Sequence, residues 1–235
     1  MTKSPLMDVA LLQGHAPYTL AGFAAFRSVI EMDGAVPARL KALFAAVAAV
    51  DRRHLDLARR ELARGVVLGL TPKEATAGLI VLTSLRGEAA ALDFATMIGE
   101  TFNDIQVPPP QSLPTAAEGE AAANFRGYWA GGIPAPLQQL MLLVPEAADA
   151  YYLMRRGSID ANPLSPKHGE LLLLVILAAG YSPMAATHVR GARNAGATDQ
   201  EIAEAVLCAV PAAGIAAWMA VGGMLAAPVD GGIPR

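Results

Sequence analysis

The feature that most constrains how this chain folds is a six-residue pattern that occurs twice, 127 positions apart. The pattern G-x-T-x-x-E runs from Gly69 to Glu74 and again from Gly196 to Glu201. A glycine readily adopts the left-handed conformation that ends a helix. A threonine followed three positions later by a glutamate is a capping box, which begins a helix. Each copy therefore predicts a helix, a tight turn and a second helix.

The correspondence continues beyond the pattern, because Gly87 matches Gly214 at the same separation. This predicts a chain built from two related halves joined by a proline-rich connector that contains three consecutive prolines. The expected organisation is a first repeat at 1–102, a connector at 103–120, a second repeat at 121–228 and a loose tail at 229–235.

The composition predicts an all-α fold with two tandem helical units packed together. Hydrophobic residues make up 54% of the chain, aromatic residues only 6% and charged residues 17%. The apolar content is thus mainly alanine, leucine and valine, and alanine and leucine are strong helix formers. Helices are expected near 17–32, 36–50, 51–68, 72–85, 87–101, 116–129, 134–142, 145–157, 165–180, 183–195, 199–210 and 212–226.

Charge and patterning bear on the location and partners of the protein. The net charge of −3 gives no electrostatic reason to expect nucleic-acid binding. Asp8 interrupts the first apolar stretch, which argues against a secretory signal, so we expect a cytoplasmic protein. Residues 205–229 carry no formal charge and could span a membrane by length. Pro211 and Gly214 interrupt them, which favours a buried helix and no membrane contact.

A longer motif between Leu164 and Ala220 carries a family resemblance. It reads L-S-P-K-H-G-E up to Glu170, then H-V-R-G-A from His188, then G-A-T-D-Q-E-I from Gly196. This resembles the carboxymuconolactone decarboxylase/alkylhydroperoxidase-like family. That family has an acidic residue opening one helix, C-x-x-C-x-x-x-H opening the next, and then G-A-T-x-x-E-I.

The resemblance, taken residue by residue, implies acid–base chemistry without a redox dithiol. His188 falls on the family histidine, and Glu170 lies one residue short of the acidic position. Tyr181 and Met184 occupy the two cysteine positions, so dithiol peroxidase chemistry is excluded there. The resemblance thus implies a cofactor-free, decarboxylase-like lyase or isomerase acting on a small carboxylated lactone or related acid. His188 would move the proton, with Glu170 and Tyr181 assisting.

In the first half, the same family positions hold His54, Leu57 and Glu61. A glutamate replaces the histidine there, so we expect this half to be degenerate as a catalytic site.

Two further residues are candidates for substrate binding. Arg190 could bind a substrate carboxylate, although a salt bridge or a subunit contact is the simpler interpretation. Trp129, with Tyr128 and Phe125, opens the second half and could cover a pocket.

No metal site and no cofactor are expected. The chain lacks closely paired histidines on a helix, a P-loop and a dinucleotide fingerprint.

Two other function classes remain open. One is a non-catalytic binding or scaffold protein on the same fold, favoured by the lost cysteines and the degenerate first half. The other is an antioxidant protein using Cys208, the single cysteine, which by its apolar surroundings is expected to be a small buried side chain. The resemblance also implies self-association, with a homotrimer favoured because two tandem units could then imitate a hexamer.

Overall fold

The computed structural model describes residues 4–129 and 132–225, and within these ranges the protein is helical without a single strand. The all-α fold class is therefore confirmed. The helices are α1 (Ala10–His15), α2 (Pro17–Glu31), α3 (Ala38–Asp51), α4 (Leu55–Val67), α5 (Pro72–Arg86), α6 (Glu88–Thr101), α7 (Glu120–Tyr128), α8 (Ala135–Leu143), α9 (Pro145–Ile159), α10 (Pro166–Ala179), α11 (Ala185–Asn194), α12 (Asp199–Leu207), α13 (Val210–Ala213) and α14 (Ala216–Met219). Short 3-10 turns lie at Pro5–Asp8 and Gly222–Met224.

Two central helices, α3 and α10, form the middle of the molecule. Residues 40–50 and 169–179 are buried on every side, and apart from Lys41 and Glu170 they are apolar. Burial on every side is expected for helices that are apolar around nearly their whole circumference. The two helices pack against each other, one from each half of the chain. One continuous hydrophobic core therefore joins the halves.

A smaller apolar cluster lies beside this core and is built by α7, α8 and α9. Its buried members are Ala121, Phe125, Trp129, Leu137, Ala148 and Tyr152. Helix α9 also packs against α5 and α10. The cluster thus covers the place where the two halves meet, which is where the candidate site lies.

Both predicted capping boxes are present and have the same geometry. The Glu74 amide donates to Thr71 Oγ1 at 3.1 Å, and the Thr71 amide donates back to the glutamate carboxylate at 2.9 Å. At Thr198 and Glu201 the same two bonds measure 3.1 and 2.8 Å. The glycine before each box has a positive φ, 88° in the first copy and 86° in the second.

The two halves also share an ion pair that the sequence pattern did not reveal. Arg39, near the start of α3, pairs with Glu74 at 3.1 Å, and Lys167, near the start of α10, pairs with Glu201 at 2.5 Å. In each half the capping glutamate is therefore tied to the central helix. These matched contacts support our proposal that 1–102 and 121–228 are two copies of one unit.

The structure departs from the predicted helices at the end of the chain. The helix expected at 212–226 is replaced by α13, α14 and a 3-10 turn. Pro211 is the second residue of the short α13, and Gly214, with φ 72°, ends this helix because its conformation leaves the helical path. The predicted tail at 229–235 lies outside the described residues.

Two smaller differences lie earlier in the chain. Helix α1 was not predicted. Helix α7 begins at Glu120 rather than near 116, since Gly119 before it is left-handed at φ 77°.

Residues 205–225 of the uncharged stretch that could span a membrane by length are divided between the end of α12 and these short elements. No helix in the described ranges has the length and apolarity needed to cross a membrane.

Candidate active site

The centre of the candidate site is a histidine–glutamate pair formed between neighbouring helices. His188 on α11 and Glu170 on α10 are joined by a contact of 2.7 Å between Nδ1 and Oε2. Their side chains are 13% and 5% exposed. With the carboxylate accepting from Nδ1–H, the imidazole is held in one tautomer, and its Nε2 has no partner within the described part of the chain. This nitrogen is therefore free to exchange a proton with a ligand.

The pair fits between its helices only because position 191 is a glycine. A Cβ atom at Gly191 would lie 2.5 Å from Glu170 Oε2 and 2.6 Å from its carboxyl carbon. Real side-chain atoms do not approach so closely, and a buried carboxylate has little room to move. The missing side chain thus gives Glu170 the space from which it reaches His188.

Substituting Gly191→Ala is expected to lower activity at least about tenfold while leaving the cavity lining unchanged. The new methyl group must displace the Glu170 carboxylate and so break its hydrogen bond to the imidazole, which is a charge-assisted contact of about 1.5–3 kcal/mol. The assay is turnover of any substrate found by the screen described below, combined with the imidazole NMR signals of His188.

The matched control is Gly99→Ala, since Gly99 lies exposed within α6 and no atom stands within 4 Å of the place that a Cβ atom would take there. This control should keep full activity. Unchanged activity in Gly191→Ala would mean that the orientation of Glu170 does not matter.

A cavity of about 120 Å³ opens beside His188 at the junction of the two halves. It is smaller than the roughly 300–1,000 Å³ of pockets that hold drug-sized ligands, and it suits only a small molecule. Residues of α5, α7, α9, α10 and α11, together with Trp129 and Met184, form its wall. The lining residues are Ser84, Leu85, Tyr128, Trp129, Tyr151, Arg155, Ser158, Ile159, Leu173, Leu177, Met184, Thr187 and His188. We call it the histidine cavity.

Arg155 places a positive charge in this largely apolar wall. The residue is 7% exposed, and its guanidinium stacks 3.7 Å from the centre of the Tyr128 ring. It donates one hydrogen bond, of 2.5 Å, to Asn124 Oδ1. No carboxylate pairs with it anywhere in the ranges 4–129 and 132–225. A buried cation without an acidic partner is unfavourable unless an anion completes the site.

Two neutral donors in the cavity wall are also without partners. Tyr128 Oη and Trp129 Nε1 are buried, and neither makes a hydrogen bond to a described residue. Burial raises the pKa of the Tyr128 phenol, the Glu170 carboxylate raises it further, and the Arg155 charge opposes this. The phenol is therefore protonated at neutral pH and can donate. The cavity thus offers a guanidinium, a hydroxyl and an indole N–H to an oxygen-bearing anion.

The structure brings some of the sequence-predicted residues together and leaves others apart. His188 and Trp129 line the cavity, and Glu170 reaches it only through its contact with His188. Tyr181 and Arg190 are exposed and do not line it. The Tyr181 hydroxyl donates to the Ala213 carbonyl at 2.5 Å, and the Arg52 guanidinium lies 5.3 Å from its ring centre. Tyr181 therefore contacts both halves at their junction, whereas Arg190 lies exposed on α11, where its charge acts to lower the pKa of Tyr128.

Arg155 is the residue that sequence reasoning missed. It stands beside Arg156 on an amphipathic helix, where such a pair is typical of a solvated face. Only its stacking on Tyr128, 27 positions earlier, distinguishes it. A weak signal was its position one turn from Tyr151 and Tyr152, both of which are partly or fully buried.

The described residues hold no cluster of three or more His, Cys, Asp or Glu side chains that could bind a metal. Cys208 is fully buried, and burial raises the pKa of its thiol to about 12. It donates to the Glu204 carbonyl at 3.3 Å.

The fold and the site define an all-α protein with an oriented histidine above a small, donor-lined cavity. Residues 145–227, which contain α9 to α14 and the His188–Glu170 pair, match the Carboxymuconolactone decarboxylase family. The resemblance given by the sequence motif is therefore confirmed for this part of the chain. No curated protein matches the chain significantly.

Proposed function

We propose that the protein is a cofactor-free acid–base enzyme of the lyase or isomerase kind that acts on a small carboxylated lactone or related carbonyl acid. The observation that carries this proposal is the pairing, in one small cavity, of a Glu170-oriented imidazole with a buried Arg155 that lacks an acidic partner among the described residues. The imidazole of His188 transfers the proton, and the guanidinium group of Arg155 selects an anionic substrate. The family match of residues 145–227 agrees with a decarboxylase-like activity.

In the proposed reaction, His188 Nε2 is the atom that handles the proton. For an isomerisation, Nε2 takes a proton from the carbon next to a carbonyl, the C–H electron pair forms an enolate, and the imidazolium returns the proton to another carbon. For a decarboxylation, the C–C bond to the carboxylate breaks, CO₂ leaves, and the resulting enolate takes its proton from Nε2–H. Glu170 stabilises the imidazolium form by accepting from Nδ1.

The developing negative charge in either reaction lies on the enolate oxygen. Tyr128 Oη and Trp129 Nε1 are the unpartnered donors that suit this oxygen, because preformed donors in a dry cavity stabilise such charge strongly. Arg155 has a different assignment. A guanidinium group bound to the departing carboxylate would oppose loss of CO₂. It would stabilise the negative charge on that carboxylate, which must move to the enolate as CO₂ leaves. We therefore assign Arg155 to a carboxylate that stays on the substrate.

The test is a screen of small carboxylated lactones and β,γ-unsaturated or β-keto acids in D₂O, followed by NMR. Deuterium incorporation or CO₂ release reports proton transfer at carbon. In the Arg155→Met variant we expect KM to rise about 10–100-fold, the range expected from losing a charged hydrogen-bonded contact. Because the interaction is present in both ground and transition states, kcat should change less.

Arg126→Met is the matched control, because Arg126 is exposed at the end of α7 and does not line the histidine cavity. Its KM should equal that of the unmodified protein. An activity whose KM is the same in Arg155→Met would overturn the assignment of Arg155 to the substrate.

Two other functions are less well supported by the site. A ligand that binds without any deuterium incorporation would favour the binding-protein alternative. Peroxidase chemistry would need an accessible thiolate. Cys208 is fully buried with a raised pKa, so we do not propose an antioxidant role.

A further inference from the structure

A second cavity lies in the first half of the chain and is the counterpart of the histidine cavity. Leu57, Glu61 and Pro211 line it. Leu57 and Glu61 lie 127 positions before Met184 and His188. Pro211 lies 127 positions after Ser84, and these three matching residues line the histidine cavity. Each cavity thus takes one wall from α4 or α11 and another residue from a helix of the opposite half. The acid–base histidine is replaced by a glutamate in this counterpart.

The charges around the second cavity are dominated by arginine, and we call it the arginine cavity. Arg27, Arg60, Glu61 and Arg64 line it. Glu61 is 2% exposed and is fixed by two of them, with Arg27 Nη1 at 2.6 Å from Oε1 and Arg64 Nε at 2.9 Å from Oε2. Arg27 pairs in addition with Glu31. Among the described residues that line the cavity or pair with its lining, three guanidinium groups thus face two carboxylates.

The unused donors belong to Arg64 and Arg60. Arg64 Nη1 and Nη2 are both buried, and neither makes a well-aligned hydrogen bond within the described residues, although Nη2 lies 2.8 Å from Glu61 Oε2. Arg60, one turn earlier on α4, has no ion-pair partner in the ranges that the structure describes and is exposed at the cavity mouth. Buried N–H groups without acceptors are unfavourable, and planar guanidinium groups bind carboxylates in a bidentate manner.

Apart from Ser4, the rest of the wall is apolar, and the cavity is large. Leu6, Val9, Phe23 and Leu57 line it, and the cavity volume is about 380 Å³. That volume lies within the roughly 300–1,000 Å³ typical of small-molecule sites. The lining therefore suits a ligand with an apolar body and a single anionic head, rather than a bare inorganic anion.

We propose that the arginine cavity binds a small organic acid, whose carboxylate lies between Arg64 and Arg60 and whose apolar body contacts Phe23 and Leu57. The site binds and does not catalyse, because Glu61 is held by two guanidinium groups and no histidine of the described residues lines the cavity. This inference does not depend on the role proposed for His188.

The test is calorimetric titration of the full chain with three probes: hexanoate, 1-hexanol and inorganic phosphate. Hexanoate should bind, whereas 1-hexanol lacks the anionic head and phosphate lacks the apolar body, so both should bind at least about tenfold more weakly. Arg64→Gln and Arg60→Gln should each weaken hexanoate binding about tenfold or more, the effect of losing a charge-assisted hydrogen bond. Arg60 is exposed, so its variant tests the site even if Arg64→Gln fails to fold.

Arg155→Met separates the two cavities, since it alters only the histidine cavity. Hexanoate binding that is unchanged in Arg155→Met and weakened in the Arg60 variant supports the proposal. Hexanoate binding that is lost in Arg155→Met but unchanged in both α4 variants overturns it, as does the absence of hexanoate binding. Equal affinity for 1-hexanol or for phosphate would also overturn it.

Discussion

Replacing His188 with glutamine is expected to reduce turnover by about 10²–10⁴-fold, the usual contribution of a positioned general acid–base group. Glutamine is similar in length and can still accept or donate a hydrogen bond, but it cannot exchange a proton at neutral pH. The His188 side chain is 13% exposed at the cavity edge, so the substitution should leave folding nearly unchanged. Steady-state kinetics on a substrate from the D₂O screen gives the measurement, with circular dichroism to verify the fold.

The matched control is His54→Gln, because His54 is exposed at the start of α4 and does not line the histidine cavity. Activity in this control should be that of the unmodified protein. If His188→Gln retains full activity, the imidazole does not carry the chemistry, and the proposed mechanism fails.

The second large effect is expected for stability, at a buried ion pair that joins the two halves. Lys41 on α3 is 1% exposed, and its Nζ donates to Glu204 on α12 at 2.9 Å and to the Val29 carbonyl at 2.8 Å. Lys41→Met keeps the unbranched aliphatic shape of the side chain up to the ε position and removes the ammonium group, which leaves the carboxylate without its cation. Removing one partner of a buried ion pair lowers the free energy of unfolding by about 3–5 kcal/mol. We expect a loss at the lower end of this range, since Glu204 still accepts from the Ala35 and Val36 amides.

Urea unfolding measures the lost stability of Lys41→Met as a lower midpoint concentration of urea with an unchanged m value. Lys73→Met, at an exposed position near the start of α5, is the control and should unfold like the unmodified protein. A loss below about 1 kcal/mol in Lys41→Met, the size typical of an exposed pair, would show that the pair joining the halves is not important for stability.

The Lys41–Glu204 pair also predicts how the stability of the protein depends on pH under acidic conditions. Burial acts to raise the pKa of Glu204, but the Ala35 amide, Lys41 and the Val36 amide outweigh it and hold the pKa below the ordinary value of 4.5. The folded form therefore binds its proton less readily than the unfolded chain. The resulting stabilisation is fully present above the unfolded pKa and is lost as the pH falls through the lower folded pKa. In Glu204→Gln this contribution disappears, so stability should fall less steeply with acid.

Several local features could be read correctly from the sequence, because they are set by residues within a few positions of one another. The capping boxes at Thr71 and Thr198 depend on a side chain and an amide three residues apart, and both form as predicted. The apolar runs of α3 and α10 predict burial on all sides, because exposing so many apolar side chains to water is unfavourable. By contrast, the last predicted helix was wrong, since Pro211 and the left-handed Gly214 outweigh the apolar pattern around them.

The same distinction between local sequence patterns and long-range packing applies to the candidate site. A motif pointed to His188 and Glu170, but their 2.7 Å contact exists only because α10 and α11 pack closely at Gly191. Arg155 could not be assigned from the sequence, because its environment comes from Tyr128 on another helix.

What the sequence determined by itself is therefore the helical class, the paired turns and the family motif of the second half, all of which rest on local spacing. The tertiary structure decided which polar groups are buried without partners, since burial depends on helices far apart in the chain. It joined the halves through α3 and α10 in one core and left a small cavity at their junction. It also placed an arginine-lined cavity at the related position of the first half. The charges available to a ligand thus follow from packing rather than from any pattern in the sequence.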